Sequence, residues 1–206
     1  MREVACHRAA AAAGVAPAVL DAAPDCSWIL MDYVEGGMWT PPRLQAPEGL
    51  RTLGACLQHP HAITPPKGLA EFDPVSIATA QAQAIIECDP AAAAQVNALV
   101  ARTRQLAVDC AAFAVTPVTT HGDLNASNLI GPIPLLVDWE YAQFADPVYD
   151  LACLSVYYPG LRLREGELLG APGITDANGA VRLRLHAQLF DSLNRLWEQA
   201  EALRQA

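Results

Sequence analysis

Two apolar runs near the middle of the chain, Leu129-Ile130 and Leu135-Leu136-Val137, are too short for helices, and Gly131-Pro132 between them breaks any longer element. They can pair only as a hairpin. The hairpin fixes where the polar flanks go. In an antiparallel pair the first residue of one strand lies near the last residue of the other. Asn128 enters the first strand and Asp138 leaves the second, so their side-chain oxygens converge at one end. A carboxylate beside an amide oxygen is a hard donor set, suited to Mg²⁺ that keeps waters and phosphate oxygens as its other ligands. Asp123, in the loop leading to the same end, can there accept the proton of an attacking hydroxyl. Singly, Asp and Asn are common turn residues; together, at this spacing around a hairpin, they point to phosphoryl transfer.

The rest of the chain is mostly helical in pattern. Residues 2–13 form an Ala-rich run closed by Gly14, with Pro17 beyond, which predicts a helix and its C-cap. Strands are expected at 18–22 and 27–34, joined by the turn residues Ala23-Pro24-Asp25. Glu35-Gly36-Gly37 ends the second strand, and Pro41-Pro42 and Pro47 are expected to keep the following stretch irregular. Helices are predicted from about 48, over 74–87, over 91–114 and over 181–204, with a Pro-rich loop at 60–66. The expected division is an αββ unit with a hinge at 1–37 and a helical body at 38–206.

His121-Gly122-Asp123, Asn128 and Asp138-Trp139-Glu140 form H-G-D-x-x-x-x-N followed by an apolar hairpin and D-W-E. This resembles the catalytic and metal-binding segments of the aminoglycoside phosphotransferase / choline kinase superfamily, small-molecule relatives of the protein kinases. The resemblance continues through Tyr141-Ala142 and Asp146-Pro147 to Asp150-Leu151-Ala152, similar to choline- and thiamine-kinase-like members. Leu30-Met31-Asp32-Tyr33-Val34-Glu35-Gly36 looks like the last N-lobe strand and hinge, and Arg2-Glu3 opens a helix that looks like αC.

The resemblance implies an α+β, protein-kinase-like fold, mainly the helical C-lobe with a short αββ part of the N-lobe. It implies Asp123 as catalytic base, Asn128 and Asp138 as Mg²⁺ ligands, and ATP as phosphoryl donor. Backbone groups at Asp32, Tyr33 and Val34 would bind adenine, and Glu3 would be the αC glutamate. His121 and Asp150 would brace the catalytic loop, while Trp139, Glu140 and Tyr141 are candidates to face metal or substrate. The implied reaction moves the γ-phosphoryl group to a hydroxyl of a small cationic acceptor, choline- or thiamine-like. The alternatives are an aminoglycoside acceptor, or a kinase-like binding remnant without turnover.

The chain departs from the family at its start. No Gly-rich loop or lysine precedes Glu3, and the single lysine, Lys67, lies after the hinge where it cannot pair with that glutamate. Three readings compete: a fragment of a longer protein, a short protein that has lost activity, or an enzyme that completes its site differently. In the first two the chain alone is expected to be weak or inactive, because positioning and charge neutralisation are most of phosphoryl-transfer catalysis.

Composition narrows the partners. A net charge of −9 argues against nucleic acid, whose phosphates need a basic patch, and suits a cationic substrate. The longest uncharged run near the start, 9–20, is too short to span a membrane and contains Pro17; no signal peptide is apparent. Six scattered cysteines without a CxxC read as reduced thiols in a cytoplasmic protein. Cys56, His59 and His61 are too few, and the histidines too constrained by Pro60, to predict a metal site. Trp28, Trp39, Trp139, Tyr141, Tyr149, Tyr157 and Tyr158 could furnish an aromatic box for a quaternary ammonium or thiazolium ring, with Trp139 and Tyr141 placed best.

Overall fold

The computed structural model describes residues 2–58, 61, 63, 64, 66, 69–113, 115–170 and 172–205. His59 and Lys67 lie outside them. Helix α1 spans Arg2–Ala12 and is followed by an antiparallel hairpin of β1 (Val19–Ala22) and β2 (Ile29–Met31). Gly14, at φ +77°, turns the chain out of α1 in the left-handed conformation that a C-cap requires.

The Pro41-Pro42 stretch is a correction. It forms a short helix, α2 (Pro41–Gln45), which leads into α3 (Pro47–Leu57). Proline at the first helical positions lacks only an N–H that would have no helical partner there, so these prolines start helices. Fully buried Leu44 anchors α2 in the core.

Helices α4 (Pro74–Cys88), α5 (Ala93–Ala111) and α8 (Gly179–Arg204) pack against one another. Asp73 caps α4 by accepting from the Ser76 N–H at 3.0 Å. Ala78 and Ala82, four residues apart and buried, allow close approach, and Ile85, Val96, Leu193 and Leu196 fill the seam. The buried hydroxyls of Thr103 and Ser192 pair at 2.8 Å across α5 and α8, leaving neither oxygen orphaned.

The larger core joins the N-terminal unit to the segment that carries Asp123, Asn128 and Asp138. Strands β4 (Leu129–Ile130) and β5 (Leu135–Leu136) form the expected hairpin, with Leu129 opposite Leu136. The N-terminal unit clips onto it through Gly131 N–H to Gly37 O at 2.9 Å and Leu136 N–H to Val15 O at 2.7 Å, and the segment just after it adds Trp39 N–H to Leu129 O at 2.7 Å. Strand β3 (Val118–Thr120) is antiparallel to β6 (Gln143–Ala145), and α6 (Tyr149–Tyr157) and α7 (Glu165–Gly170) follow; β6, α6 and α7 were not anticipated.

Among the described residues no helix is long and apolar enough to cross a membrane, and the six cysteines are free.

Candidate active site

The loop between β3 and β4 is held from behind by one carboxylate. Asp150, in the first turn of α6 and fully buried, accepts the His121 N–H at 3.1 Å and the Gly122 N–H at 3.0 Å. Burial alone would push this acid up, but His61 beside it, His121 and the loop N–H groups together hold its carboxyl below the usual aspartate range. His61 Nε2 lies 3.9 Å from Asp150, and Cys56 Sγ meets the Pro134 carbonyl instead.

His121 ties the loop to the hairpin. Its Nε2 donates to the Val137 carbonyl at 2.8 Å, and its Nδ1 accepts the Asp123 N–H at 3.4 Å. The Val137 N–H in turn reaches the Asn128 carbonyl at 3.0 Å, so residues 128 and 137 face each other and Asp138 follows immediately. Asp138 sits at φ +67°, a left-handed conformation that aspartate tolerates better than most residues.

Asp123 is engaged at both oxygens. Its Oδ2 accepts the side-chain amides of Asn125 and Asn128, each at 3.2 Å, and its Oδ1 accepts the Tyr157 hydroxyl at 2.6 Å. The Asn128 amide also donates to the Asp123 backbone carbonyl at 2.9 Å. This leaves the Asn128 amide oxygen outside these contacts. Asn125 carries no sequence signal beyond lying inside the motif, yet it both donates to Asp123 Oδ2 and accepts the Ser127 N–H at 2.9 Å.

Glu3 and Glu140 gather at Asp138. Both carboxyls are raised above the ordinary glutamate range, first by burial and then by the charge of Asp138. Arg2 donates to the Glu140 carbonyl at 2.7 Å. Among the described residues no cluster of three or more His, Cys, Asp or Glu is arranged to hold an ion unaided. One carboxylate, one amide oxygen and mutually repelling acids do fit a hard divalent ion that brings its remaining ligands with it. Glu3 therefore stands beside the expected metal residues. The hinge residues Asp32, Tyr33 and Val34 lie apart from them, at the turn end of the hairpin, where Val34 rests against Gly131 and Tyr33 is 89% exposed.

A cavity of about 430 Å³ opens beside Asp123. Its walls carry the rings of Phe72, Tyr141, Tyr149, Tyr157, Phe190 and Trp197, and Glu71 and Asp73 are among its lining residues. Tyr141 and Trp197 are linked across the wall, the indole N–H donating to the phenol oxygen at 3.1 Å. Trp139, expected to face metal or substrate, is instead fully buried: its N–H meets the Leu136 carbonyl at 3.1 Å and its ring packs on His121 at 5.0 Å. The D-W-E tryptophan is thus a core residue. Of the other aromatic candidates, Trp39 is buried with its N–H on the Gly131 carbonyl, Tyr158 accepts the Ala126 N–H, and Trp28 is absent from the cavity wall. Phe72, Phe190 and Trp197 went unnoticed in the sequence because they reach the cavity from the α4 entry and α8 only through tertiary packing.

A model of the phosphotransferase enzyme family (APH) matches residues 1–171. No curated protein matches by sequence. Among solved structures, a choline/ethanolamine kinase family protein from Mesorhizobium loti superposes with a TM-score of 0.82 at 22% identity, over 100% of this chain and 72% of that one. The choline kinase LicA from Streptococcus pneumoniae gives 0.75 at 19% identity, over 94% of this chain and 69% of its own, and LicA has also been solved in complex with AMP. Aminoglycoside phosphotransferase APH(3'')-Id from Streptomyces rimosus gives 0.65 at 21% identity, over 93% and 80%. The shared architecture is the α+β fold of protein-kinase-like small-molecule kinases.

Proposed function

The chain belongs to the phosphotransferase enzyme family, and from that premise we propose that it transfers the γ-phosphoryl group of ATP to a hydroxyl of a small cationic acceptor. The observation that carries this reading is the cavity at Asp123, where aromatic rings and the carboxylates of Glu71 and Asp73 surround the same space as the candidate base. Ring faces and acids together attract an organic cation such as a quaternary ammonium or thiazolium, and the net charge of −9 adds a long-range pull. An aminoglycoside, also cationic, is the alternative acceptor.

In this mechanism the acceptor hydroxyl meets Asp123 Oδ1, while the amides of Asn125 and Asn128 keep the carboxylate from rotating through Oδ2. Asp123 takes the hydroxyl proton as the acceptor oxygen bonds to the γ-phosphorus, the bond from that phosphorus to the β,γ-bridging oxygen breaks, and ADP leaves. Asn128 Oδ1 and the Asp138 carboxylate would hold Mg²⁺, which supplies neutralisation of phosphate charge. His121 and Asp150 fix the loop backbone so that Asp123 needs no reorganisation. Backbone groups at Asp32–Val34 receive the adenine.

The test is ADP formation by the purified chain with Mg-ATP and, in turn, choline, ethanolamine, thiamine and an aminoglycoside, with product mass as readout. Acceptor-dependent ADP release that falls by roughly 10²–10⁴-fold in Asp123→Asn supports the reading. Release insensitive to that substitution sinks it. Mg-ATP binding without transfer to any acceptor favours a binding remnant.

A further inference from the structure

A base that activates a hydroxyl will also activate water, and Asp123 lines an open cavity. A phosphotransferase with an unguarded base would hydrolyse ATP whenever the acceptor is absent. The geometry around Asp123 supplies a guard. Its Oδ2 is occupied by two amide donors, so Oδ1 is the only oxygen left to take a proton. That oxygen holds the Tyr157 hydroxyl at 2.6 Å, the length of a strong charge-assisted bond.

We propose that the Tyr157 hydroxyl stands in for the acceptor hydroxyl on Asp123 Oδ1 and, by holding one of that oxygen's two lone pairs, weakens the base toward water until an acceptor displaces it. This rests on the phosphotransferase reading above. Several features suit the role. Tyr157 is the last residue of α6, and its ring is set against Phe190 at 5.4 Å, which supports the phenol without enclosing it. The side chain lines the cavity and remains 36% exposed, so it can swing aside. Burial and the neighbouring Asp123 push its phenol well above the ordinary tyrosine range, so it stays a donor and does not compete as a base. A phenol is also a poor mimic in one useful respect: it is tethered, and it gives way to a free hydroxyl whose cationic end gains the aromatic wall.

The reaction guarded against balances simply. The water oxygen bonds to the γ-phosphorus, the bond to the β,γ-bridging oxygen breaks, one water proton passes to Asp123, and ADP and inorganic phosphate leave.

The experiment is acceptor-free ATP hydrolysis by wild type, Tyr157→Phe and the Tyr157→Phe/Asp123→Asn double variant, with Mg-ATP binding to each measured by calorimetry. Tyr157→Phe is expected to raise hydrolysis about tenfold, the ratio that losing about 1.4 kcal/mol of guarding hydrogen bond represents, and the double variant to abolish the gain. With acceptor present, Tyr157→Phe is expected to lower acceptor KM, a change that a merely structural role would not produce. Unchanged or reduced hydrolysis by a Tyr157→Phe protein that binds Mg-ATP and melts like wild type overturns the guard. A raised acceptor KM overturns it too, and would make the phenol a substrate contact. Failure of wild type to bind Mg-ATP would mean that this chain by itself is not a phosphotransferase, and this inference falls with it.

Discussion

The backbone carbonyl of Tyr141 occupies the place that a side chain on Gly122 would need. Gly122 also sits at φ +85°, so two separate constraints exclude any other residue between His121 and Asp123. The turn that follows Asp138 thus presses directly on the loop that carries Asp123.

Gly122→Ala is expected to cost at least about 2 kcal/mol in urea unfolding, from the left-handed backbone and the overlap together. Because the loop must shift to relieve the overlap, transferase activity should fall on the order of 10²-fold, as misplacement of a catalytic group by about 1 Å does. Full activity in the alanine variant would show that the loop has room to yield.

Asp150→Asn tests the clamp behind the loop. Asparagine keeps one acceptor oxygen but sets an NH₂ against a loop N–H, so the expected loss is about 1–3 kcal/mol near neutral pH. The sign of the pH dependence follows from the depressed acid. Ionised Asp150 stabilises the fold above the unfolded aspartate value of about 3.9, and this stabilisation fades as pH falls through that value toward the lower folded one. The stability gap between wild type and Asp150→Asn should therefore narrow as pH is lowered, read by urea unfolding at successive pH values. A gap that widens on acidification would contradict the assignment.

Trp139→Phe separates core from substrate contact. The variant loses the indole bond to the Leu136 carbonyl and some volume, so about 1–2 kcal/mol of stability should go. Acceptor KM should not move, since the ring is sealed from the cavity. A KM rise without loss of stability would return Trp139 to the binding site.

Trp197→Leu makes the opposite prediction. Trp197 is 38% exposed on the cavity wall and makes one hydrogen bond, so its replacement should cost no more than about 1–2 kcal/mol in urea unfolding. Acceptor KM should rise by roughly tenfold with kcat within a few-fold, the pattern of lost cation–aromatic binding. A fall in kcat at constant KM would place the acceptor elsewhere.

Much of the site was legible because its residues are consecutive and punctuated. Gly131-Pro132 marks the hairpin turn, and pairing of Leu129 with Leu136 follows from it. Asp123, Asn128 and Asp138 take their places from that one local element. What stayed hidden has a physical cause in each case. Nearly every residue of α6 is buried, so it has no polar face and no 3.6-residue period to read. Strand β6 has three residues and exists only through β3, which lies more than twenty positions earlier. Pro41-Pro42 read as a breaker because the pair alone does not say whether a helix starts or stops there. The cavity rings come from the α4 entry, the hairpin exit, α6 and α8, and no local pattern unites them.

Asp150 and Tyr157 stand seven positions apart on α6, two helical turns, and so project from the same side of it. One grips the catalytic loop from behind and the other touches Asp123 from the cavity. The helix works as a caliper closed on the loop. A single-residue insertion or deletion between them would swing Tyr157 by about 100° and open the jaw, even with every motif residue intact. Within descendants of this sequence, length changes should therefore collect in the loops and spare the seven-residue gauge from Asp150 to Tyr157.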